Sequence, residues 1–289
     1  MVIPGSISAA HGSVKGTQER YATKVRFMEM YKGGVIASVS TPQQAQLAQQ
    51  QGARGILITS DPRKKQPGGS TMTDAWMAES IMGHVLIPTF GRVRAGHEVE
   101  AQAMSTNVYS GLMESVPSHK HKRFIEKHPF NIPFICDGVA TLADAVLRID
   151  EGAAMLCNYA DSRRTNVHDT YAVVESLFCE IEELRAKTPE DREAYVVEYE
   201  HKSNKFLRRN LVNSIMETGQ FPVPFFAQGG ITAPEDVAML RSMGCDGVIL
   251  STQVFHEEQT AAQILKSAVV ASSQWDDVQA MAKVADKTA

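Results

Sequence analysis

The chain has 289 residues, 43% of them hydrophobic and 21% charged, a balance that suits a globular core and excludes a disordered chain. Its net charge of −4 gives no general attraction to nucleic acid or to an anionic membrane, and apolar stretches such as 132–136 and 247–250 are far too short to span a bilayer. The length suits two average domains or one α/β barrel, which typically needs about 250 residues.

Residues 1–16 hold no basic region followed by an apolar core, so no secretory signal is expected there. They read as a flexible lead of small residues. The expected organisation is a lead over 1–20, a barrel over 21–277 and a tail over 278–289. Cys136, Cys157, Cys179 and Cys245 are scattered without a C-x-x-C pair. That speaks against a zinc site or a disulfide framework and for a reducing, cytoplasmic setting.

Short apolar, β-branched runs recur along the chain, each followed by a helical pattern. The first is 35–39, after the Gly33-Gly34 turn, and Thr41-Pro42 opens a helix over 43–51 with proline at its first position. Residues 56–59 follow Gly55, and Thr73 precedes a helix over 74–82. A third run, 85–90, surrounds Pro88; a polar fourth covers 107–112. Residues 132–136 form the fifth, and Thr141 introduces a helix over 142–149 that Gly152 closes. The sixth run is 153–157. Three helical stretches, 167–187, 190–200 and 206–217, then precede a seventh at 223–227, which makes the sixth βα unit an elaborated one. Pro234-Glu235-Asp236 opens a helix over 237–243, Gly244 ends it, and 247–251 closes the series.

The runs are continuous rather than alternating, as strands buried on both faces of a parallel sheet should be. Eight strand–helix repeats predict the α/β class: a single (β/α)8 TIM barrel with right-handed crossovers. The alternative, an open doubly wound sheet, lacks a G-x-G-x-x-G after its first strand.

In such a barrel the reacting groups sit at the C-terminal ends of the strands, and the loops after strands 7 and 8 often bind phosphate. Gln228-Gly229-Gly230-Ile231 ends the seventh strand. Paired glycines let backbone N–H groups approach an anion closely, although a Gly-Gly pair also makes a plain tight turn. Ser251 and Thr252 end the eighth strand and offer two hydroxyls. Gly229, Gly230, Ser251 and Thr252 are therefore the candidate phosphate site. Arg92 and Arg94 alternate at the end of the third strand, and Asp161, Arg163 and Arg164 follow the sixth. In one reading Arg92, Arg94, Arg163 and Arg164 form an anion clamp. In the other, Arg92 and Arg94 pair with Glu98 or Glu100 or make an inter-subunit contact, and the residues after the sixth strand are a polar loop.

Residues 118–123, with His119 and His121, have no cysteine or carboxylate nearby and read as a solvated helix start rather than a metal or nucleic-acid patch. His84, His97 and His168 have no i,i+4 partner and are taken as structural. No metal and no cofactor is expected, and G-x-S-x-G, H-E-x-x-H and Walker patterns do not occur.

A set of ordered segments carries a family resemblance. They are Met28-Glu29-Met30-Tyr31-Lys32-Gly33-Gly34-Val35-Ile36, Arg94-Ala95-Gly96-His97-Glu98-Val99-Glu100-Ala101, Pro133-Phe134-Ile135-Cys136, Glu151-Gly152-Ala153-Ala154-Met155-Leu156, and Gln228-Gly229-Gly230-Ile231-Thr232-Ala233-Pro234-Glu235-Asp236 with Gly244-Cys245-Asp246-Gly247-Val248 after it. From about Tyr21 to Asp277 the chain resembles the synthase subunit of glutamine-dependent pyridoxal 5′-phosphate synthase, the PdxS/SNZ family. The resemblance implies a ring assembly, a hexamer or a dodecamer of two stacked rings. It also implies binding of ribose 5-phosphate and glyceraldehyde 3-phosphate, and ammonia from a partner glutaminase. The segments the family uses at its interfaces, around 28–36, 96–101 and 148–156, are retained, and 206–217 is rich in exposed-looking apolar residues.

The resemblance also implies a mechanism that rests on two lysines forming imines with the sugar, beside acidic residues. At the matching positions this chain has Ser38 for the first-strand aspartate, Arg92 for the strand-3 lysine, Met113 for the strand-4 aspartate (leaving Glu114 and Ser115) and Tyr159 for the second lysine. The glycine-rich loop after it reads Ser162-Arg163-Arg164-Thr165-Asn166. An imine needs a primary amine that can lose its proton; arginine stays protonated, and a phenol cannot form one. The first expectation is thus a non-catalytic family member, a scaffold or regulatory subunit that assembles alone or with active synthase subunits. The second is an active pyridoxal 5′-phosphate synthase in which Lys64 or Lys65 substitutes. The third is a barrel holding another phosphorylated ligand on its arginines.

Overall fold

The computed structural model describes residues 14–59, 72–116, 123–160 and 166–285. Helix α1 (Val14–Glu29) leads into β1 (Val35–Val39), followed by α2 (Pro42–Gln50), β2 (Gly55–Ile58), α3 (Ala75–Met82), β3 (Thr89–Arg94), α4 (Glu98–Ser105), β4 (Gly111–Ser115), β5 (Phe134–Val139), α5 (Leu142–Asp150) and β6 (Met155–Asn158). Three helices, α6 (Val167–Arg185), α7 (Pro189–Ser203) and α8 (Arg209–Thr218), separate β6 from β7 (Phe225–Gln228), the elaboration expected from the sequence. The chain continues through α9 (Pro234–Ser242), β8 (Gly247–Leu250), a 3₁₀ turn at Thr252–Phe255, α10 (Glu258–Ser273) and α11 (Val278–Ala285). Each strand pairs in parallel with its neighbour in sequence and β8 closes on β1, so the sheet is a closed barrel and not an open sheet.

Local chemistry sets the helix starts. Thr41 caps α2 by accepting from the Gln44 amide, with Pro42 at the first helical position, and Thr141 and Asp144 form a capping box on α5. On α3 the cap is Asp74. Thr73 does other work: its hydroxyl donates to Ile58 O at 2.9 Å and accepts from Arg92 N at 2.7 Å, tying β2 to β3.

Strands β3, β4 and β5 begin later than expected, at Thr89, Gly111 and Phe134 rather than at 85, 107 and 132. Proline explains two of these shifts. Pro88 and Pro133 have no N–H for the ladder and enter it only as acceptors, from Ile56 N and Leu112 N. Leu86 before Pro88 is 97% exposed, and its amide is taken by the Gln49 side chain. Before β4 the backbone turns, with Asn107 N donating to Met104 O. The shift moves Arg92, Arg94, residues 113–115 and Asp137 into strands, where alternation decides which of them face the barrel interior.

The register steps around the barrel: Ser38 lies beside Leu57, Leu57 beside Phe90, Met113 beside Ile135, Cys157 beside Phe226 and Ile249 beside Ile36. Inward side chains therefore fall into layers from alternate strands. Ile36, Phe90, Ile135 and Phe226 make one layer from the odd strands; Leu57, Met113, Cys157 and Ile249 make the next from the even strands. Beneath them the even strands present Gly55, Gly111 and Gly247. A Cβ on Gly247 would sit 2.5 Å from the Phe226 ring, so only glycine lets the aromatic layer fit. Met28 of α1 and Tyr31, whose ring packs edge-on against Phe90, close the floor.

The N-terminal boundary falls earlier than expected. Residues 14–20, placed in the lead by the sequence, belong to α1, which is anchored by Tyr21 Oη donating to Ala153 O and by Lys24 Nζ donating to Lys127 O and Phe130 O. At the other end α11 extends into the expected tail. The expected helix start at 118–123 lies outside the described residues except for Arg123, and 123–133 is not helical. Glu114, pointing outward from β4, holds this stretch extended. One of its oxygens accepts from Gly96 N and Ile125 N, and the other pairs with Lys127 Nζ at 2.7 Å. Lys127 also reaches Glu151 at 3.2 Å, and Arg148 pairs with the same carboxylate. Residues 148–156, expected at an interface, are thus spent largely inside the protomer: Arg148 and residues 153–156 are buried.

Lys127 and Glu114 are both shut off from water. Removing one partner of such a pair leaves a buried charge uncompensated, so Lys127→Ala should cost about 3–5 kcal/mol in urea unfolding followed by circular dichroism. An unchanged midpoint would show the pair to be dispensable.

Candidate functional site

Above the two apolar layers the odd strands contribute Ser38 from β1, Arg92 from β3, Asp137 from β5 and Gln228 from β7. All four are polar. Asp137 faces inward by alternation from Ile135; around it the register with β6 slips between Cys136 and Val139, and Gly138 takes φ 88. Asp137 Oδ1 accepts from Val116 N at 2.6 Å. Burial pushes its carboxyl up to about 7, although Arg92, the Val116 amide and a hydrogen bond from the Gln228 side chain favour its charged form; Glu114 adds to the rise. Burial also pulls the Arg92 guanidinium down, against the attraction of Asp137. Arg92 Nε is buried and has no hydrogen-bond partner among the described residues. Burial holds the Cys157 thiol, just below, well up in its protonated form.

The four residues expected to bind phosphate lie on one sector of the rim, since β7 and β8 are paired neighbours. Gly229 and Gly230 both have positive φ, 105 and 69. A Cβ on Gly229 would lie 2.8 Å from Ala160 Cβ and 2.9 Å from Thr170 Oγ1, so the turn admits no side chain there. Thr170 Oγ1 donates to the Gln228 and Gly229 carbonyls, while the Gly229 and Gly230 amides donate to nothing among the described residues. Ser251 caps the 3₁₀ turn that Thr252 begins, accepting from Gln253 N at 3.4 Å.

The four arginines do not act as one set. Arg92 lies inside the barrel. Arg94, at the end of β3, is committed to Glu100, with Nε at 2.6 Å and a second contact through Nη2. His97 pairs with the same carboxylate at 3.6 Å. Arg163, Arg164, Asp161, Lys64 and Lys65 lie outside the described residues. Tyr159 follows β6, its amide donating to Val139 O. Met113 is in the apolar even layer and Glu114 faces away from it. His84 is bonded to Ser80 O and His168 stacks edge-on against Tyr171. No group of three or more potential metal ligands occurs among the described residues.

Sequence reasoning missed Asp137 and the inward role of Gln228. The signal was present: with Ile135 inward and Cys136 outward, alternation sends residue 137 in. The apolar character of the fifth run ends at Cys136, so composition alone does not extend the strand to Asp137.

A closed parallel barrel with a polar upper layer and a double-glycine turn after β7 belongs to the class of (β/α)8 barrels whose site lies at the C-terminal rim. Sequence comparison narrows this class. The model of the SOR/SNZ family matches residues 20–228. The pyridoxal 5′-phosphate synthase subunit PdxS of Herpetosiphon aurantiacus is 33% identical over 270 residues, spanning 91% of this chain and 89% of that protein. The subunit of the same name from Nocardia farcinica is 35% identical over 262 residues, 89% of this chain and 83% of its own length. The pyridoxal 5′-phosphate synthase subunit SNZ1 of Saccharomyces cerevisiae is 32% identical over 266 residues, 90% and 87% of the two chains. The chain belongs to the SOR/SNZ family.

Because its pKa is raised, folded Asp137 holds its proton more tightly than the unfolded chain does. The stability this gives is complete below the ordinary aspartate range and is lost as pH rises to about 7. Measured against Asp137→Asn, the melting temperature of the unmodified protein should fall between about pH 4 and about pH 7 and level off above that. A flat difference across this range would mean that Asp137 ionises as it does in water.

Proposed function

We propose that this chain is a non-catalytic member of its family, a scaffold or regulatory subunit of a ring assembly. The observation that carries the reading is Arg92: the guanidinium occupies the upper interior layer beside Asp137, and none of the eight strands contains a lysine. The relatives are named as synthase subunits. The chemistry the resemblance implies needs an amine that can be deprotonated, and a guanidinium is a poor nucleophile at any accessible pH. Met113 is part of the apolar packing, and Glu114 is bound to Lys127 on the far side of β4. The buried lysines among the described residues, Lys24 and Lys127, are turned to backbone carbonyls and carboxylates outside the barrel.

Assembly is supported by apolar surface. Trp76 on α3 is 79% exposed, and Leu86, Val99 and Val108 on the same two βα units are exposed as well, as are Met30 and Phe206. Large apolar side chains exposed on consecutive βα units are of the kind that subunit contacts bury. A hexamer or dodecamer, alone or with active synthase subunits and with a glutaminase partner, fits this surface.

Two measurements test the proposal. Incubation with ribose 5-phosphate and borohydride should give no mass increase, and addition of glyceraldehyde 3-phosphate and ammonium should give no pyridoxal 5′-phosphate. Arg92→Lys alone should not restore turnover, because Ser38 and Met113 supply no carboxylate to move protons, a contribution of about 10²–10⁴-fold. A stoichiometric borohydride-trapped adduct on the unmodified protein would overturn the reading and turn attention to Lys64 and Lys65. Light scattering at micromolar concentration should report a ring oligomer; a monomeric mass would sink the scaffold role.

A further inference from the structure

A scaffold has no use for a polar interior layer, yet Ser38, Arg92, Asp137 and Gln228 form one at the reacting end of the barrel. Arg92 and Asp137 are only partly buried, while Arg92 Nε is enclosed and unpartnered among the described residues. A guanidinium with unmet donors matches a planar carboxylate, which it binds through two parallel N–H···O bonds. Gln228 is followed directly by Gly229, so the layer adjoins the turn whose amides are unused, with successive Cα atoms roughly 3.8 Å apart.

We propose that this layer is a carboxylate-binding site and that its ligand is a small phosphorylated hydroxy acid, held at its carboxylate by Arg92 and at its phosphate by the Gly229 and Gly230 amides, while the Gln228 side chain stays on Asn158 O and Asp137. The phosphate half rests on the rim site argued above; the carboxylate half stands on the layer alone. The ligand is bound and not transformed, which suits a regulatory subunit and deepens that reading.

Asp137 sets the charge the ligand meets. Ionised, it already neutralises Arg92; protonated, it leaves the guanidinium to the ligand. The described groups that act on it are Arg92 from β3, Glu114 from β4 and the Val116 amide after it, Cys157 from β6, and Gln228 from β7. Of these, Glu114 is engaged by Lys127 and Cys157 carries no charge. Binding of an anion therefore draws a proton onto Asp137.

Calorimetric titration of the full chain distinguishes the parts, using 3-phosphoglycerate, glycerol 3-phosphate, which lacks the carboxylate, and inorganic phosphate. 3-Phosphoglycerate should bind at least about tenfold more tightly than glycerol 3-phosphate near pH 7, as one charge-assisted contact allows. That preference should fall by up to about tenfold per pH unit above pH 7, the limit for uptake of one proton. Arg92→Gln should abolish the preference and leave any weak glycerol 3-phosphate binding in place. Asp137→Asn keeps the test decisive if Arg92→Gln does not fold: it should retain the preference and flatten its pH dependence. Equal affinity for the two phosphates, a preference that survives Arg92→Gln, or no binding of 3-phosphoglycerate overturns the site. None of these outcomes touches the borohydride result, so the carboxylate site and the non-catalytic reading fail separately.

Discussion

A closed parallel sheet whose register steps around the barrel has to stack its inward side chains in layers from alternate strands. Most of what this protein can do follows from how those layers are filled. Glycines at 55, 111 and 247 let Phe90 and Phe226 fill the lower barrel, and Met28 and Tyr31 close it from below. Leu57, Met113, Cys157 and Ile249 complete a dry plug. A ligand can therefore enter only from the opposite end, where the next odd-strand layer is the first polar surface it meets.

That layer is a matched set. A guanidinium inside a barrel needs an anion near it, because an unpaired buried charge is costly. A carboxyl there is equally costly without a cation. Arg92 and Asp137 answer each other across the barrel, from strands that are not adjacent. The compensation is incomplete: Arg92 Nε stays unmet among the described residues, and burial holds the Asp137 carboxyl well above the usual aspartate range. The pair is thus a poised arrangement, unlike the buried Lys127–Glu114–Glu151 network outside the barrel, where short contacts lock each group in place.

The sequence carried the barrel but blurred its edges. Helix starts were readable because Thr41-Pro42 and Thr141 act through their immediate neighbours. Strand starts at β3 and β5 were misjudged because the apolar residues before Pro88 and Pro133 resemble strand in composition, and the missing N–H had to be weighed against them. The double glycine at 229–230 was legible as a turn with free amides, since positive φ at both positions leaves few other residues possible. Asp137 was hidden by the end of an apolar run. Lys127 was hidden for a different reason: it closes a charged stretch that includes Lys120, Lys122 and Arg123, where each cation looks solvated. Only tertiary structure shows Glu114 and Glu151 converging on it. Arg94 had two readings, and Glu100, six residues on, decides between them.

The devices that hold the barrel together are separate from the layer that would do chemistry. The glycine floor, the aromatic layer, the Thr73 bridge between β2 and β3 and the Lys127 network make no use of the side chains of Ser38, Arg92, Asp137 or Gln228. Substitution in the upper layer costs the fold only what that layer itself stores, which is small when a charge is replaced together with its partner. A chain about a third identical to synthase subunits can therefore tolerate exchange of the polar groups where a ligand enters without losing its barrel. The consequence for function is directional. Exchanging a lysine for an arginine removes a nucleophile and adds a planar cation of fixed charge. Such an exchange turns a site suited to react with a carbonyl into one suited to an anion, which is the direction the proposed non-catalytic reading takes for this barrel mouth.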